Sequence, residues 1–141
     1  MIKRAELFNI SKERLFFADY IPIRQHLKRH SQSDLFLDTF NFSAGATAVF
    51  SILSCCPIVT YYGNSYYSRM SASLLSSLNL EELIAYSHQE YKNKAIELAL
   101  DNSKYKIIKE KLRKNLNSGK YLSSDIFTRE IESKFKNILI K

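Results

Sequence analysis

The sequence predicts an α/β fold in which short parallel strands alternate with helices. Three observations lead there. Apolar runs of strand length recur at residues 14–18, 35–40 and 57–62. Segments with helical spacing of apolar residues lie between and after them. The chain has 141 residues, the length of one domain, and 45% of them are hydrophobic. Alternation of this kind gives βαβ units with right-handed crossovers, a parallel sheet and helices on its faces. Disorder is excluded by the apolar content, and a fibre by only three Gly and two Pro.

Each element has its own signal. Residues 1–13 mix charge with Leu7, Phe8 and Ile10 and read as a weak helix or a tail. Arg14-Leu15-Phe16-Phe17-Ala18 reads as a buried strand by length and aromatic content. Pro22 opens a helix whose apolar positions, Ile23 and Leu27, share one face, and Asp34 ends it. Leu35 to Phe40 is the second strand. The small residues from Asn41 to Ala48 open a helix that runs through Ser54. Pro57 to Tyr62 is the third strand, with proline at its permitted first place. Gly63-Asn64-Ser65 is a turn, and Tyr66 to Leu78 is a helix with Met70, Leu74, Leu75 and Leu78 on one side. Leu80 to Tyr86 reads as helix or strand. From His88 the pattern is helical to Ser118, with a break at Asn102-Ser103 and a stop at Gly119. Ser124-Asp125 caps a last helix carrying Phe127, Ile131, Phe135, Ile138 and Leu139.

Charge and cysteine usage narrow the function classes. Lys plus Arg number 21 against 14 Asp plus Glu, a net charge of +7 that suits anionic partners. Much of the excess lies in Lys104 to Lys120, whose helical periodicity makes it a solvated basic face. No apolar run is long enough to span a bilayer, since Ala44 to Tyr62 is interrupted by Thr47, Ser51, Ser54 and Pro57. The start, Met1 to Glu6, is not followed by a signal-type apolar core, so a cytoplasmic chain is expected. Cys55 and Cys56 are adjacent, and their ~3.8 Å Cα spacing falls short of the usual disulfide separation. They read as small apolar residues in a reducing compartment. No metal-ligand spacing, Ser-His-Asp set or paired carboxylate appears, and no metal is expected.

In a parallel sheet, ligands bind beyond the carboxyl ends of the strands. The loops there are Ala18 to Pro22, Phe40 to Ala46 and Tyr61 to Tyr66. Gly45 and Ala46 at a helix start let a backbone come close, the first-turn N–H groups favour a phosphate, and the Thr47 hydroxyl adds a donor. Such a strand–turn–helix with a few small residues also serves packing alone. His26, Lys28, Arg29 and His30 cluster on the first helix, as a base-reading group or as a solvated basic turn. Asp38 stands at a strand end, as a carboxylate base or as a turn cap. The tyrosine pairs 61–62 and 66–67 read as a half-buried aromatic rim.

An ordered set of residues then carries a resemblance. It comprises Arg14-Leu-Phe-Phe-Ala, Pro22, His26-Leu-Lys-Arg-His30, Asp34-Leu-Phe-Leu-Asp-Thr39, Ala44-Gly-Ala-Thr-Ala48, Pro57-Ile-Val-Thr60, Gly63, Ser68-Arg69, Ala72-Ser-Leu-Leu75 and Glu82-Leu-Ile-Ala85. It continues through Tyr91, Ala95, Leu98-Ala99 and Phe127-Thr-Arg-Glu-Ile-Glu132. This set resembles the carboxyl-terminal catalytic region of the O-GlcNAc transferase/SPINDLY family, glycosyltransferase family 41, over residues 14–135.

The resemblance implies a Rossmann-like parallel sheet with flanking helices, the carboxyl-terminal, nucleotide-binding half of a GT-B enzyme, ending in C-terminal helices. Within one domain, residues 14–100 would form part of the UDP-binding half and 101–141 the C-terminal helices. It implies a UDP-sugar donor, an acceptor protein and no cofactor or metal, with this chain a fragment of a longer enzyme or a split part whose missing amino-terminal half a separate chain supplies. Carried over by position, His26 sits against the uracil and Arg29 hydrogen-bonds it. The backbone near Ile21 meets the base edge, and Gly45, Ala46 and Thr47 line the diphosphate. Five positions differ from residues found in the family. Phe50 stands where the family has the Asp that takes the ribose hydroxyls, a loss of about 1–3 kcal/mol. Ile23 stands where many members have a Lys, Gly45-Ala46 where some members have His-Thr, and Cys55 where a Gly is usual. Two other readings stay open: a degenerate, non-catalytic nucleotide-binding or structural remnant, favoured by Phe50 and the short length, and a basic nucleic-acid-binding protein, favoured by the +7 charge, against which the lack of any RNA-module motif speaks.

Overall fold

A computed structural model describes residues 1–119 and 123–139. Among these, three strands form a parallel sheet in the order β1-β2-β3: β1 Phe36–Leu37, β2 Ile58–Tyr61 and β3 Ile84–Ala85. The register sets Phe36 beside Ile58, Leu37 beside Val59, Thr60 beside Ile84 and Tyr61 beside Ala85. Seven helices accompany it: α1 Ile2–Glu6, α2 Ile23–Ser31, α3 Ala46–Leu53, α4 Met70–Ser77, α5 His88–Leu100, α6 Asn102–Asn117 and α7 Ser124–Leu139.

The central strand is buried from Ile58 to Thr60, which is why it reads as a continuous apolar run rather than an alternating one. Its side chains meet Ala48 and Ile52 of α3, Ala72 and Leu75 of α4 and Leu98 of α5 in one core, which Ile108 and Leu112 of α6 close. Truncating a fully buried leucine such as Leu112 costs about 2–5 kcal/mol. Ser87 caps α5 by accepting from the Glu90 amide at 3.0 Å, and Asp101 caps α6 by accepting from Lys104 at 2.9 Å. The chain therefore breaks at Asp101, just before the expected Asn102-Ser103. α7 spans the expected residues, but Ser123 caps it through the Ile126 amide at 3.3 Å, and Ser124 is already helical.

Two helices end in the same motif. After α3, the Cys55 amide donates to Ile52 and the Cys56 amide to Ser51, both at 2.9 Å. After α4, the Asn79 amide donates to Ser76 at 3.0 Å and the Leu80 amide to Leu75 at 2.9 Å. This paired pattern needs a left-handed residue at its centre, and the φ angles are 54° at Cys55 and 52° at Asn79. Gly119, φ 71°, ends α6.

One expected strand is absent. Arg14 to Ala18 forms no ladder: Lys12–Arg14 is a single 3-10 turn and the following residues have no regular structure. Phe16 is 91% exposed and Phe17 62%. Apolar composition makes a strand only where a neighbouring strand supplies hydrogen-bond partners, and none lies beside this segment among the described residues. The third strand comes instead from Leu80–Tyr86, which is both alternatives in turn: a 3-10 turn at Glu81–Leu83, then β3. The helix expected from Tyr66 starts only at Met70. Residues 65–69 are held as a turn by Ser68 Oγ, which donates to the Ser65 carbonyl at 2.9 Å and accepts from the Ser65 amide at 3.0 Å. α7 buries no residue: Phe127, Ile131, Phe135, Ile138 and Leu139 are all exposed.

Candidate functional site

The site forms where the carboxyl end of β1 runs into α3, with α2 alongside. Its frame is Asp38, which is buried. Its Oδ1 accepts from the amides of Thr39 and Ala44, both at 2.8 Å, and its Oδ2 from Thr60 Oγ1 at 2.7 Å. The Asp38 carbonyl accepts from Tyr91 Oη at 2.9 Å. Burial first, then the Asp38 charge, pushes the Tyr91 phenol up to about 12. Both Asp38 oxygens are thus occupied in holding the 39–44 loop. Asp38 is the turn cap. Ser43 and Ser71 hold the other end of the loop: Ser43 Oγ donates to the Tyr67 carbonyl and Ser71 Oγ to the Ala44 carbonyl, both at 2.8 Å.

The loop so fixed delivers Gly45, Ala46 and Thr47 to one place. Gly45 is the N-cap of α3, and no side chain caps this helix, so its first-turn N–H groups stay available to a ligand. All three residues line an open cavity of about 590 Å3, together with Asp38, Thr39, Phe42 and Met70. A Cβ placed on Gly45 would meet only Met70, at 3.8 and 3.9 Å, so a larger residue fits there.

α2 supplies the second part. His26 and Arg29 are one turn apart and half-buried. Arg29 Nη2 donates to His26 Nδ1 at 2.9 Å, and Nη1 to the Asp19 carbonyl at 3.0 Å. The other His26 nitrogen, Nε2, lies 3.1 Å from His30 Nε2. Burial first, then the charges of His26 and Arg29, holds the His30 imidazole below its usual range. Ile21 is half-buried in the loop entering α2, and Lys28 is exposed.

Phe50 joins the two parts. It lies one turn into α3, half-buried, in a T-shaped pair with the His26 ring at 5.7 Å and 86°. Phe42, a neighbour that packing alone would suggest for it, stacks instead on Tyr67 at 5.3 Å. Six of the sequence-derived residues (His26, Arg29, Gly45, Ala46, Thr47 and Phe50) therefore belong to one contiguous region. What the sequence did not reveal is the locking of His26 by His30, although the i, i+4 spacing was its signal, and the share of Met70 in the cavity wall.

The basic segment behaves as a solvated face. Lys104 pairs with Glu97, Lys111 with Glu82 at 2.6 Å and Arg113 with Glu110 at 2.5 Å. Lys120, its last residue, lies outside the described residues. The tyrosine rim is more open than half-buried: Tyr66 is 72% exposed and Tyr67 55%. No helix among the described residues is long and apolar enough to cross a membrane.

Comparison with known proteins gives a consistent result. The profile of Glycosyl transferase family 41 matches residues 1–131. A tomato (Solanum lycopersicum) protein named as a probable UDP-N-acetylglucosamine–peptide N-acetylglucosaminyltransferase SPINDLY is 30% identical over 124 residues, covering 85% of this chain and 13% of that protein. A Giardia intestinalis UDP-N-acetylglucosamine–peptide N-acetylglucosaminyltransferase is 28% identical over 104 residues, 73% of this chain and 7% of that protein. Among solved structures, a mutant of Thermobaculum terrenum O-GlcNAc transferase superposes with a TM-score of 0.87 at 28% identity, over 96% of this chain and 26% of that one. The chain thus spans about 13% of the length of the SPINDLY relatives it matches.

Proposed function

The chain belongs to glycosyl transferase family 41, and from that premise we propose that it is the nucleotide-holding part of a UDP-sugar-dependent protein glycosyltransferase. The observation that carries this reading is the meeting of the His26–Arg29 pair with the Gly45–Thr47 turn through Phe50. In this reading the uracil lies against His26, with Arg29 and the backbone near Ile21 at its polar edge. The diphosphate takes the first-turn amides of α3 and the Thr47 hydroxyl, and these groups stabilise it as it departs. The reading invokes no metal and no cofactor. The acceptor hydroxyl, its base and the facing wall of the cleft come from polypeptide outside this chain, in cis or as a separate subunit. A cytoplasmic setting, which suits the two free cysteines, belongs to the same proposal.

Calorimetric titration of the chain with UDP at low and moderate salt tests the reading. His26→Ala should weaken binding, while charge reversal at Lys106 and Lys114 should change only its salt dependence. Equal effects from both would mean nonspecific anion binding and overturn it. The chain alone should release no UDP from UDP-N-acetylglucosamine in the presence of acceptor proteins, since donor and acceptor need both walls to be held in line. Robust turnover would refute the split-site part of the reading.

One observation favours a second reading, a degenerate and non-catalytic nucleotide site: the Phe50 ring occupies the ground beside His26 where the resemblance calls for a carboxylate. A phenyl ring accepts no hydrogen bond of comparable strength from a vicinal diol. Phe50→Asp should then raise UDP affinity about tenfold, ~1.4 kcal/mol, with the melting temperature unchanged. A collapsed melting temperature without binding would make Phe50 a packing residue and refute the degenerate-site reading.

A further inference from the structure

We propose that His30 is a positioning residue of this site: it holds His26 in the tautomer with its proton on Nε2 and leaves the ring face, rather than a ring nitrogen, for a base. The binding role rests on the nucleotide reading above; the tautomer does not.

The tautomer follows from the donor inventory. A guanidinium only donates, so His26 Nδ1, 2.9 Å from Arg29 Nη2, is an unprotonated acceptor. A neutral imidazole then carries its proton on Nε2. That nitrogen faces His30 Nε2 at 3.1 Å, so His30 accepts there and keeps its own proton on Nδ1. The two rings meet at 90° with centroids 4.6 Å apart. With both nitrogens engaged, His26 has only its face to offer.

The arrangement has no place for a further proton. Among the described residues, the charged or titratable groups that hydrogen-bond or pack ring to ring within it are Arg29 and the two imidazoles themselves, all on α2. α3 presents Phe50 to His26, and β1 presents Phe36 to His30 at 6.2 Å; neither carries a proton. The 15–22 loop meets Arg29 through the Asp19 carbonyl. A proton added to His30 Nε2 would set one N–H against another, and one added to His26 Nδ1 would face the guanidinium. Acid should therefore undo the arrangement and weaken nucleotide binding.

The test uses the full chain with 15N-labelled histidine and long-range 1H–15N spectra at about pH 7.5, above the ordinary imidazole range. His26 should show a protonated Nε2 and a bare Nδ1. In His30→Phe, with the fold intact, that signature should become an average of tautomers. In His30→Gln, whose side-chain carbonyl accepts, it should return. UDP titrations should follow the same order, with His30→Phe weaker by roughly fivefold, the scale of one hydrogen bond, and His30→Gln close to wild type. A wild-type His26 protonated on Nδ1, or a signature unchanged in a folded His30→Phe, overturns the proposal. A wild-type chain that shows the tautomer but binds no UDP overturns the nucleotide reading, and with it the binding role of His30 alone.

Discussion

Replacing Cys55 by glycine should stabilise the protein. Cys55 sits at φ 54° in the motif that ends α3, where its amide and that of Cys56 donate to Ile52 and Ser51. An L-residue in this region suffers a clash of Cβ with the following carbonyl worth about 1–2 kcal/mol. Glycine removes that clash but adds about 0.5–1 kcal/mol of unfolded-state freedom. The half-buried thiol contributes little packing, so the net gain is about 0.5–1 kcal/mol, a rise in melting temperature of about 2–4 °C for a chain of this size. Thermal unfolding by circular dichroism under reducing conditions measures it. Cys55→Ala is the control, because it keeps the Cβ at the same φ and should bring no gain. A Cys55→Gly protein that melts at or below the wild type would refute the strain argument. An equal rise in both variants would assign the effect to loss of the thiol. Asn79, at φ 52° after α4, is the internal comparison, since asparagine tolerates this region.

Other outcomes follow from the same structure. Thr60→Val removes the donor to Asp38 Oδ2 from a buried carboxylate and should cost about 1–3 kcal/mol in urea unfolding, with Thr60→Ser retaining most of the stability; a Val variant as stable as wild type would refute the anchoring role of Asp38. A Cβ on Gly63 would lie 2.3 Å from Ser68 Oγ and 2.5 Å from Ser68 Cβ, so Gly63→Ala should lose about 1–3 kcal/mol by overpacking. Adding Ser68→Gly should recover part of that loss, and strictly additive effects would show that the clash is not the cause. Stability should also fall with acid. His30 in the folded chain holds its proton less tightly than the ordinary 6.5, so below that pH the unfolded chain binds more protons. The contribution is fully present above 6.5 and is lost as pH falls through the lowered folded value. Urea unfolding at several pH values should show a slope there that His30→Phe flattens.

The contrast between elements shows what one sequence encodes. The span of α7 was readable because its apolar spacing and cap are local, and Pro57 to Tyr62 was readable because a buried central strand is apolar throughout. Arg14 to Ala18 has the same composition as a strand, but a ladder depends on a second segment that composition does not report. The late start of α4 depends on Ser68 folding back on Ser65, a contact that competes with the helix. Within the site, the His26–Arg29 pair was readable as neighbours on one helix turn. The approach of Phe50 to His26 joins two helices, and only the packing of α2 on α3 reveals it. Asp38 reads two ways in the sequence, and its four hydrogen-bond partners make it the turn cap.

The exposed stripe of α7 has a consequence for how the molecule comes apart. A helix of 16 residues that buries none of them draws nothing from the cooperative unit built around β2. In water, an isolated helix of about that length is marginal by itself, because nucleation is costly and propagation gains little per residue. Its opening free energy is therefore set locally. Its amides should exchange with solvent far sooner than those of β2 and α4, and trypsin should trim it at Arg129 or Lys134 without shifting the melting of the remaining body. Helical order along Phe127, Ile131 and Phe135 thus reports whether an apolar surface lies against them, which makes the protection of these amides a gauge of assembly that needs no activity assay.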